Sequence, residues 1–188
     1  WQRMNERIQK LIKPGIIMAA LTFAICCLIK KPQEFGDYTS NVSYAVTVVT
    51  LIFYIYEKWA WRIIPWNRPP VLKKQYSGTI RYTFKGTAGE KPIGIQIKQT
   101  WLGIDIKTNT DINSSVTITA AIVSEFGQDV LYYTYMTNPS AETQKSNPIQ
   151  HGTCRMVLEG DNKTIRGKYW PSSNTTGDIE WKAVEKRK

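Results

Sequence analysis

The pattern of hydrophobic and polar positions changes once along this chain. Two long, uncharged and mostly apolar runs come first, at residues 14–29 and 38–56. From residue 75 onward, short segments alternate between apolar and polar positions. A helix of roughly 20 apolar residues can cross a bilayer, whereas strict alternation is typical of half-buried β-strands. The sequence therefore predicts a two-helix transmembrane hairpin in residues 1–74 and an all-β domain in residues 75–188.

Each apolar run has a competing interpretation. At about 1.5 Å per residue the first run measures roughly 24 Å, and it follows a basic segment as the core of a signal peptide does. However, residues 29–32 are Ile-Lys-Lys-Pro, which is not a small-x-small cleavage site. The second run has the composition of a buried core helix as well. The short spacer between the runs, with Pro32 and Gly36, favours an antiparallel hairpin.

Basic residues collect outside the two runs rather than between them. The spacer contributes only Lys30 and Lys31. The outer flanks contribute Arg3, Arg7, Lys10 and Lys13 before the first run, and Lys58, Arg62, Arg68, Lys73 and Lys74 after the second. Lys and Arg collect on the cytoplasmic side of membrane helices. We therefore expect both termini and the β domain to be cytoplasmic.

Small and hydroxyl residues on the two helices indicate how the helices pack. Gly15 and Ala19 lie four residues apart, which lets another helix approach closely. One face of the second helix carries a stripe of hydroxyl residues, Ser40, Ser43, Thr47 and Thr50. Because hydroxyl groups are unfavourable against lipid, two hypotheses are open. The stripe either hydrogen-bonds the partner helix or forms a seam between copies of the chain that lines an opening.

The second part of the chain has the alternation of a β domain. In the first segment Tyr76, Gly78, Ile80, Tyr82 and Phe84 share one face. Together with the segments after it, this makes about eight short segments at spacings of roughly 8–14 residues, which is typical of a barrel or a sandwich. We predict an antiparallel β-barrel of about eight strands. The interior of such a barrel is either filled by side chains or wide enough for one small ligand.

Composition and charge limit the chemistry that the chain can perform. The 188 residues carry a formal net charge of +10, with 11 basic and 4 acidic residues in residues 1–74 against 14 and 11 in the remainder. Many basic proteins bind nucleic acid, but this excess lies beside the apolar runs and is explained by the flanks of membrane helices. Three cysteines, two of them adjacent, and a single histidine exclude a disulfide framework and a multi-histidine metal site.

The sequence contains binding features but no catalytic motif. It has no Ser-His-Asp signature, P-loop or G-x-G-x-x-G, so we expect neither an enzyme nor a cofactor or metal. Tyr133 and Tyr135 share one face of a predicted strand, and Arg155 lies on the next strand. Aromatic rings can stack on bases, and Arg can bind phosphate through two N–H groups. The competing interpretation is that the aromatics fill the core and the charges are solvated.

A series of short motifs follows the two apolar runs. In order they are Gln99, Thr100 and Trp101; Thr108 and Ser115; Tyr133, Thr134 and Tyr135 with Asn138 and Pro139; His151 and Gly152; Gly167, Lys168 and Tyr169; and Thr176 and Gly177. Their order behind two membrane helices resembles that of the two-transmembrane, β-strand-rich effectors of CBASS antiphage operons, which are CD-NTase-associated proteins. The resemblance covers nearly the whole chain.

This resemblance implies a function for each part. The barrel would bind a cyclic dinucleotide made by a neighbouring CD-NTase, and no DNA or RNA. The chain would then oligomerise in the bacterial inner membrane, disrupt the lipid bilayer and kill the infected cell. The candidate ligand residues are Trp101, Thr108, Tyr133, Tyr135, Asn138, Arg155, Tyr169 and Thr176. The candidate oligomerisation residues are Gly15, Ala19, Ser43 and Thr47.

A second hypothesis comes from a different functional class. In it, the helices only tether the barrel, which acts as a lipocalin-like carrier or adaptor without killing activity. A nucleotidyltransferase gene beside this one would favour the effector over the carrier. The chain begins with Trp1 instead of Met, so we expect a few residues to precede it.

Overall fold

The computed structural model describes residues 2–64, 69–84, 86–111, 113–139, 148–172 and 175–184, without the side chains of residues 2–8, 10 and 84. Arg68 and the side chains of Arg3, Arg7 and Lys10, which entered the topology prediction, lie outside this described part. The chain forms two compact units. One is Trp1–Arg68 with Thr100–Leu102, and the other is Pro69–Gln99 with Gly103–Lys188. The first contains the helices and the second contains the strands.

Two long helices make up the first unit, as predicted. α1 spans Gln2–Lys30 and α2 spans Phe35–Lys58. Leu11–Lys30 and Phe35–Lys58 are long and apolar enough to cross a membrane. α2 begins with a capping box in which the Glu34 and Asp37 side chains each accept a backbone N–H of the other residue. This cap starts α2 three residues before the apolar run, and α1 continues through Pro14.

The two helices pack through small and polar residues. A Cβ added to Gly15 would lie 3.0 Å from the ring of Phe53, so the glycine brings the two backbones together. On α2, Asn41, Ala45 and Val49 are buried at a spacing of four residues. The Asn41 side-chain amide donates to the sulfur of Cys27 at 3.6 Å. The seam within the hairpin therefore uses Gly15 and the Asn41 face of α2.

The hydroxyl stripe lies on a different, exposed face of α2. Each of its four hydroxyls donates to the carbonyl four residues earlier on the same helix, at 2.8–3.0 Å. The prediction that the stripe hydrogen-bonds the partner helix of the hairpin is therefore wrong. The hypothesis of a seam between copies stays a prediction, and Ser43 and Thr47 are the candidates on the correct face for it. Ala19, like Gly15, is half-buried within the hairpin rather than on its exposed side.

Eight antiparallel strands form the second unit and confirm the predicted barrel. The strands are β1 Gln75–Phe84, β2 Thr87–Gln99, β3 Ile104–Asn109, β4 Asn113–Glu125, β5 Gln128–Pro139, β6 His151–Glu159, β7 Thr164–Pro171 and β8 Thr176–Ala183. Each strand pairs with the next, and β1 pairs with β8 to close the barrel. Alternate turns consequently lie at opposite ends. The turns after β1, β3, β5 and β7 share one end, here called the open end, and the others share the closed end.

The interior of the barrel is filled near its closed end. Tyr76, Ile95, Leu131, Met156 and Trp181 are among the buried core side chains. The alternation that predicted the first strand also occurs in other strands. On β2 the odd-numbered residues face inward, and on β6 the even-numbered residues do. The core therefore occupies the half of the barrel where β1 begins.

The chain entering β1 covers the closed end. The side chain of Gln99 accepts the backbone N–H of Leu72 at 2.8 Å and donates to the Pro70 carbonyl at 2.8 Å. The Tyr76 hydroxyl accepts the Lys73 N–H at 2.9 Å and donates to the Asn162 carbonyl at 2.7 Å. These bonds hold Leu72 in place as a buried plug. Residues 69–74, assigned to the linker by the sequence, thus belong to the barrel unit.

Candidate functional site

The open end of the barrel contains a cavity of about 430 Å³. This volume lies within the range of roughly 300–1,000 Å³ that is usual for small-molecule sites. Its lining combines aromatic, aliphatic and hydroxyl side chains: Ile80, Tyr82, Lys91, Ile93, Thr108, Thr110, Asn113, Ser114, Ser115, Tyr133, Tyr135, Thr137, Gln150, Tyr169, Pro171, Thr175 and Ile179. The cavity and the core thus divide the barrel interior between them.

Three of the cavity tyrosines lie directly over glycines of the neighbouring strand. Tyr82 faces Gly89, Tyr135 faces Gly152, and Tyr169 faces Gly177 in the register of their strands. At each glycine an added Cβ would overlap the tyrosine ring. The missing side chain lets each ring lie against the wall of the barrel, as in the aromatic rescue of glycine known from β-sheets. The three rings therefore lie against the wall at the mouth of the cavity and do not fill its middle.

Polar groups without charge form the floor of the cavity. Thr108 and Ser115 are buried and share a hydrogen bond of 2.6 Å between their hydroxyls. Burial raises the pKa of Tyr133 well above its usual value, and burial likewise raises the pKa of the neighbouring Cys154 thiol to about 12. At the mouth, burial raises the pKa of Tyr169 to about 12. All three groups stay protonated at neutral pH, and the two tyrosines that line the cavity offer O–H donors rather than negative charge to a ligand.

Lys91 is a site residue that the sequence analysis missed. Among the described residues that line the cavity it is the only charged one. Its ammonium lies 5.8 Å from the centre of the Tyr82 ring. Lys91 occurs two residues before Ile93 and therefore in phase with the inward-facing isoleucines of β2. That phase is a sequence signal that predicts an inward-facing cation, and a cation among tyrosines and hydroxyls suits a phosphate-containing ligand.

A row of aromatic rings connects the cavity with the closed end. The rings of Tyr135 and Tyr133 lie 5.9 Å apart, and Tyr133 lies 5.8 Å from Trp181. Trp181, which is fully buried, lies 6.1 Å from Tyr76. Tyr76 in turn hydrogen-bonds the segment that holds the plug. The floor of the cavity therefore contacts the core directly, through rings whose centres lie within the distance at which aromatic pairs attract.

The structure brings together four of the eight ligand residues that the sequence proposed. Thr108, Tyr133, Tyr135 and Tyr169 line the cavity. Asn138 is exposed near the end of β5, where its carbonyl accepts the Ser114 hydroxyl at 3.4 Å. Thr176 is exposed at the start of β8 and faces a shallow depression outside the barrel. These two residues lie near the open end but do not line the cavity.

Arg155 lies on the outer face of the barrel. Its guanidinium donates to the Glu125 carboxylate at 2.8 Å and to the Tyr132 hydroxyl at 2.9 Å. These bonds raise the pKa of Arg155, with Glu125 as the larger cause. Arg155 alternates with the inward-facing Cys154 and Met156, so the period of the strand already directs it outward. The cavity has its cation at Lys91 instead.

Trp101 groups with the helices although it joins two strands of the barrel. Its backbone N–H donates to the Glu57 carbonyl of α2 at 3.1 Å. Its buried ring meets the Tyr56 ring edge-on, with 5.6 Å between the ring centres. The position follows from tertiary packing, since an aromatic at a strand end carries no sequence signal for it. Trp101 therefore packs at the end of α2 and is not among the described residues that line the cavity.

Comparison with known proteins identifies a matching family and a relative of this chain. Residues 68–183, which contain the whole barrel, match the family described as Cap15, cyclic dinucleotide receptor domain. A curated relative from Staphylococcus schleiferi, CD-NTase-associated protein 15, is 37% identical over 185 residues. The aligned region covers 97% of this chain and 100% of the relative. The similarity therefore includes the helices as well as the barrel.

Proposed function

Since this chain belongs to the Cap15 family of CBASS effectors that sense cyclic dinucleotides, we propose that the ligand binds in the cavity at the open end of the barrel. The observation that carries this proposal is the cavity itself. Within the domain that defines the family, it joins three ring faces, a floor of hydroxyls and one inward-facing cation.

The chemistry of the lining matches the parts of a cyclic dinucleotide. Tyr82, Tyr135 and Tyr169 offer ring faces on which the two bases can stack, which contributes about 1–3 kcal/mol per base. Lys91 can pair with a phosphate of the ring, and charge-assisted hydrogen bonds contribute about 1.5–3 kcal/mol. Thr108 and Ser115 supply hydroxyls for ribose or base edges. Binding to the folded state alone stabilises it by mass action, about 2.7 kcal/mol at a hundredfold excess over Kd.

Thermal unfolding of the full-length chain in detergent tests this site. A panel of cyclic dinucleotides and trinucleotides is added, and we expect a cyclic dinucleotide to raise Tm. Lys91→Met should weaken the affinity by about tenfold or more, given the strength of charge-assisted contacts. Arg155→Met is the matched control, because it removes a cation from the outer face. If no ligand raises Tm, the tethered carrier is favoured. If Lys91→Met and Arg155→Met lose affinity equally, the ligand does not depend on the cavity cation and the outer face is the better candidate site.

We extend the proposal to the membrane part of the chain. The two helices insert as a hairpin in the bacterial inner membrane with both termini and the barrel in the cytoplasm, as the distribution of Lys and Arg favours. A cysteine introduced at the exposed Gln33 between the helices tests the topology. It should react with an impermeant maleimide added outside the inner membrane. Protection of this cysteine in intact cells, with labelling only after lysis, would reverse the topology.

The exposed hydroxyl stripe is the proposed seam for oligomerisation. Its hydroxyls are satisfied within α2, so the helix can enter lipid at low cost and still present polar atoms to a second copy. We expect Ser43→Leu with Thr47→Leu to keep ligand binding but to reduce membrane disruption and killing in cells that make the nucleotide. Val42→Leu with Val46→Leu is the control on exposed apolar positions of the same helix. Equal killing by both double variants would exclude this seam.

Trp101 is proposed to relay binding to the helices. It lies in the connection between β2, which carries Lys91, and β3, which carries Thr108. Because it bonds to the end of α2, movement of either strand reaches that helix through it. Trp101→Ala should bind ligand normally yet fail to kill, and Trp101→Phe should restore part of the killing. A weaker affinity in Trp101→Ala would instead support the direct ligand contact that the sequence suggested.

A further inference from the structure

The wall of the barrel is incompletely paired between β3 and β4. The ladder between these strands contains Asn109 with Ser114, Thr108 with Ser115, and Lys107 with Val116, and it ends there. Beyond it, the Thr117 hydroxyl accepts the Ile106 N–H and donates to the Ile106 carbonyl, each at 2.9 Å. The register of β4 against β5 shifts at the same place, between Thr117 and Thr119.

The remainder of β4 runs on with β5 as its only strand partner in the described ladder. From Thr119 to Glu125 every residue of β4 is paired with β5. The two-residue turn Phe126 and Gly127 has positive φ at both positions, 48° and 80°, which is the type I′ hairpin geometry. In such a hairpin the flanking pair, Glu125 with Gln128, is hydrogen-bonded, and the pairs then alternate.

This alternation fixes which backbone groups of β4 point away from β5. Glu125 and every second residue before it bond to β5, so the groups that point away belong to the residues between them, namely Ser124, Ile122 and Ala120. Each of these residues directs its N–H and its carbonyl toward the side where the β3 ladder has ended. The segment therefore presents an edge of six backbone groups, spaced as another strand would require.

The edge lacks charge and proline, two of the features that normally protect an edge strand. Residues 113–124 contain no charged residue and no proline. Ile118 is 57% exposed, and Thr119 and Ala121 are also exposed. Natural proteins usually blunt such an edge with lysine, proline or inward-pointing charge. An exposed, uncharged and β-branched edge is therefore suited to pairing with another strand.

We propose that this edge of β4 pairs antiparallel with the same edge of a second copy of the chain. In a two-fold interface each residue near the axis meets its own copy, so any charge there would meet a like charge. The chain has a net charge of +10, and the neighbouring outer faces carry ion pairs such as Arg155 with Glu125 and Arg166 with Glu180. The uncharged edge of β4 avoids this repulsion. This contact requires neither the ligand nor the α2 hydroxyl stripe.

Disulfide cross-linking of the full-length chain in membranes, with one cysteine introduced at a time, tests the proposal. Thr119→Cys, Ala121→Cys and Val123→Cys place a thiol on the outer face along the edge. In an antiparallel two-fold pairing, a position two residues from the axis lies about 13 Å from its own copy. The yield of disulfide dimer should therefore peak at one of the three positions and fall at the others. Thr153→Cys on the doubly paired β6 and the parent chain with its own cysteines should give only background.

A charge placed on the edge gives the second test. Ala121→Lys, or Thr119→Lys where position 121 carries the cysteine, should reduce the cross-linked dimer at the peak position at least tenfold, and Thr153→Lys should leave it unchanged. The same experiment in the Ser43→Leu, Thr47→Leu background should give an undiminished peak. Equal yields at all cysteine positions, or a dimer that survives Ala121→Lys, would overturn the proposal. Loss of killing in Ala121→Lys, when none of the three introduced cysteines gives a cross-linked dimer, would indicate a strand from another protein and would overturn the proposal equally.

Discussion

The two ends of the barrel are made by the same eight strands but differ in what their side chains do. At the closed end, apolar side chains fill the interior, and Gln99, Tyr76 and Asn162 hold the entering chain over it. At the open end, tyrosine rings lie against glycines of the neighbouring strand and surround a cavity. The packed core and the proposed binding site therefore occupy separate halves of one small barrel, and substitutions in the two halves should separate stability from binding experimentally.

The largest effect is expected in the closed half. Trp181→Ala removes a fully buried indole and should lower the free energy of unfolding by about 3–5 kcal/mol. Trp170→Ala removes the same side chain from the outer face, where it is 43% exposed, and should cost under about 1 kcal/mol. Thermal unfolding of the full-length chain followed by the circular dichroism of its strands measures both. Similar losses in the two variants would contradict the division of the barrel into halves.

A smaller effect is expected from the hydrogen bonds across the closed end. Gln99→Leu keeps the volume of the side chain but leaves the Leu72 N–H and the Pro70 carbonyl without it. A buried polar group that loses its partner costs about 1–3 kcal/mol. We expect this loss in the unfolding free energy together with faster hydrogen exchange of residues 71–73. Unchanged exchange at Leu72 would show that the plug does not depend on Gln99.

Alkaline pH should weaken the cavity half by about 1 kcal/mol per pH unit for each group that titrates. The pKa of Cys154 rises from 9.0 to about 12, and that of Tyr169 rises from 10.0 to about 12. The folded state therefore keeps protons that the unfolded state loses, so stability is complete below pH 9 and falls toward pH 12. Unfolding midpoints between pH 7 and 11 measure this fall. In Cys154→Ala the fall should begin about one pH unit higher, and an unchanged onset would exclude the thiol.

The smallest change in stability is expected at the mouth. Tyr135→Phe keeps the ring over Gly152 and removes only the hydroxyl, so unfolding should change by less than about 0.5 kcal/mol. If the hydroxyl contacts the ligand, the affinity should fall by about three- to tenfold, since a neutral hydrogen bond contributes about 0.5–1.5 kcal/mol. Isothermal titration with the cyclic dinucleotide found in the panel measures it. A loss of stability without a loss of affinity would place Tyr135 in the core.

Periodicity predicted most of the fold because the barrel is built from local hairpins. The alternation at Tyr76, Ile80 and Tyr82 gave the inward face of β1, and the two apolar runs gave the two helices. The same rule, applied to β2 and β6, would have selected Lys91 as inward-facing and excluded Arg155. Periodicity had no information on Trp101, whose partners lie on α2, or on the side of α2 that α1 covers. Those facts depend on contacts between distant segments.

Closure of the barrel by β1 and β8 imposes an order on folding. Ile80 pairs with Ile179, 99 residues later, whereas β1 and β2 are joined by a tight turn. At synthesis rates of about 5–20 residues per second, β1 exists for about 5–20 s before β8 has been made. By the end of that interval the helices and the first seven strands have been synthesised, but Trp181 and the core around it are still missing. The last strand to be synthesised, β8, is therefore the one that closes the sheet into a receptor barrel. Until β8 is made, β1 can pair with a strand of another chain, and this is the misassembly that the order of synthesis permits.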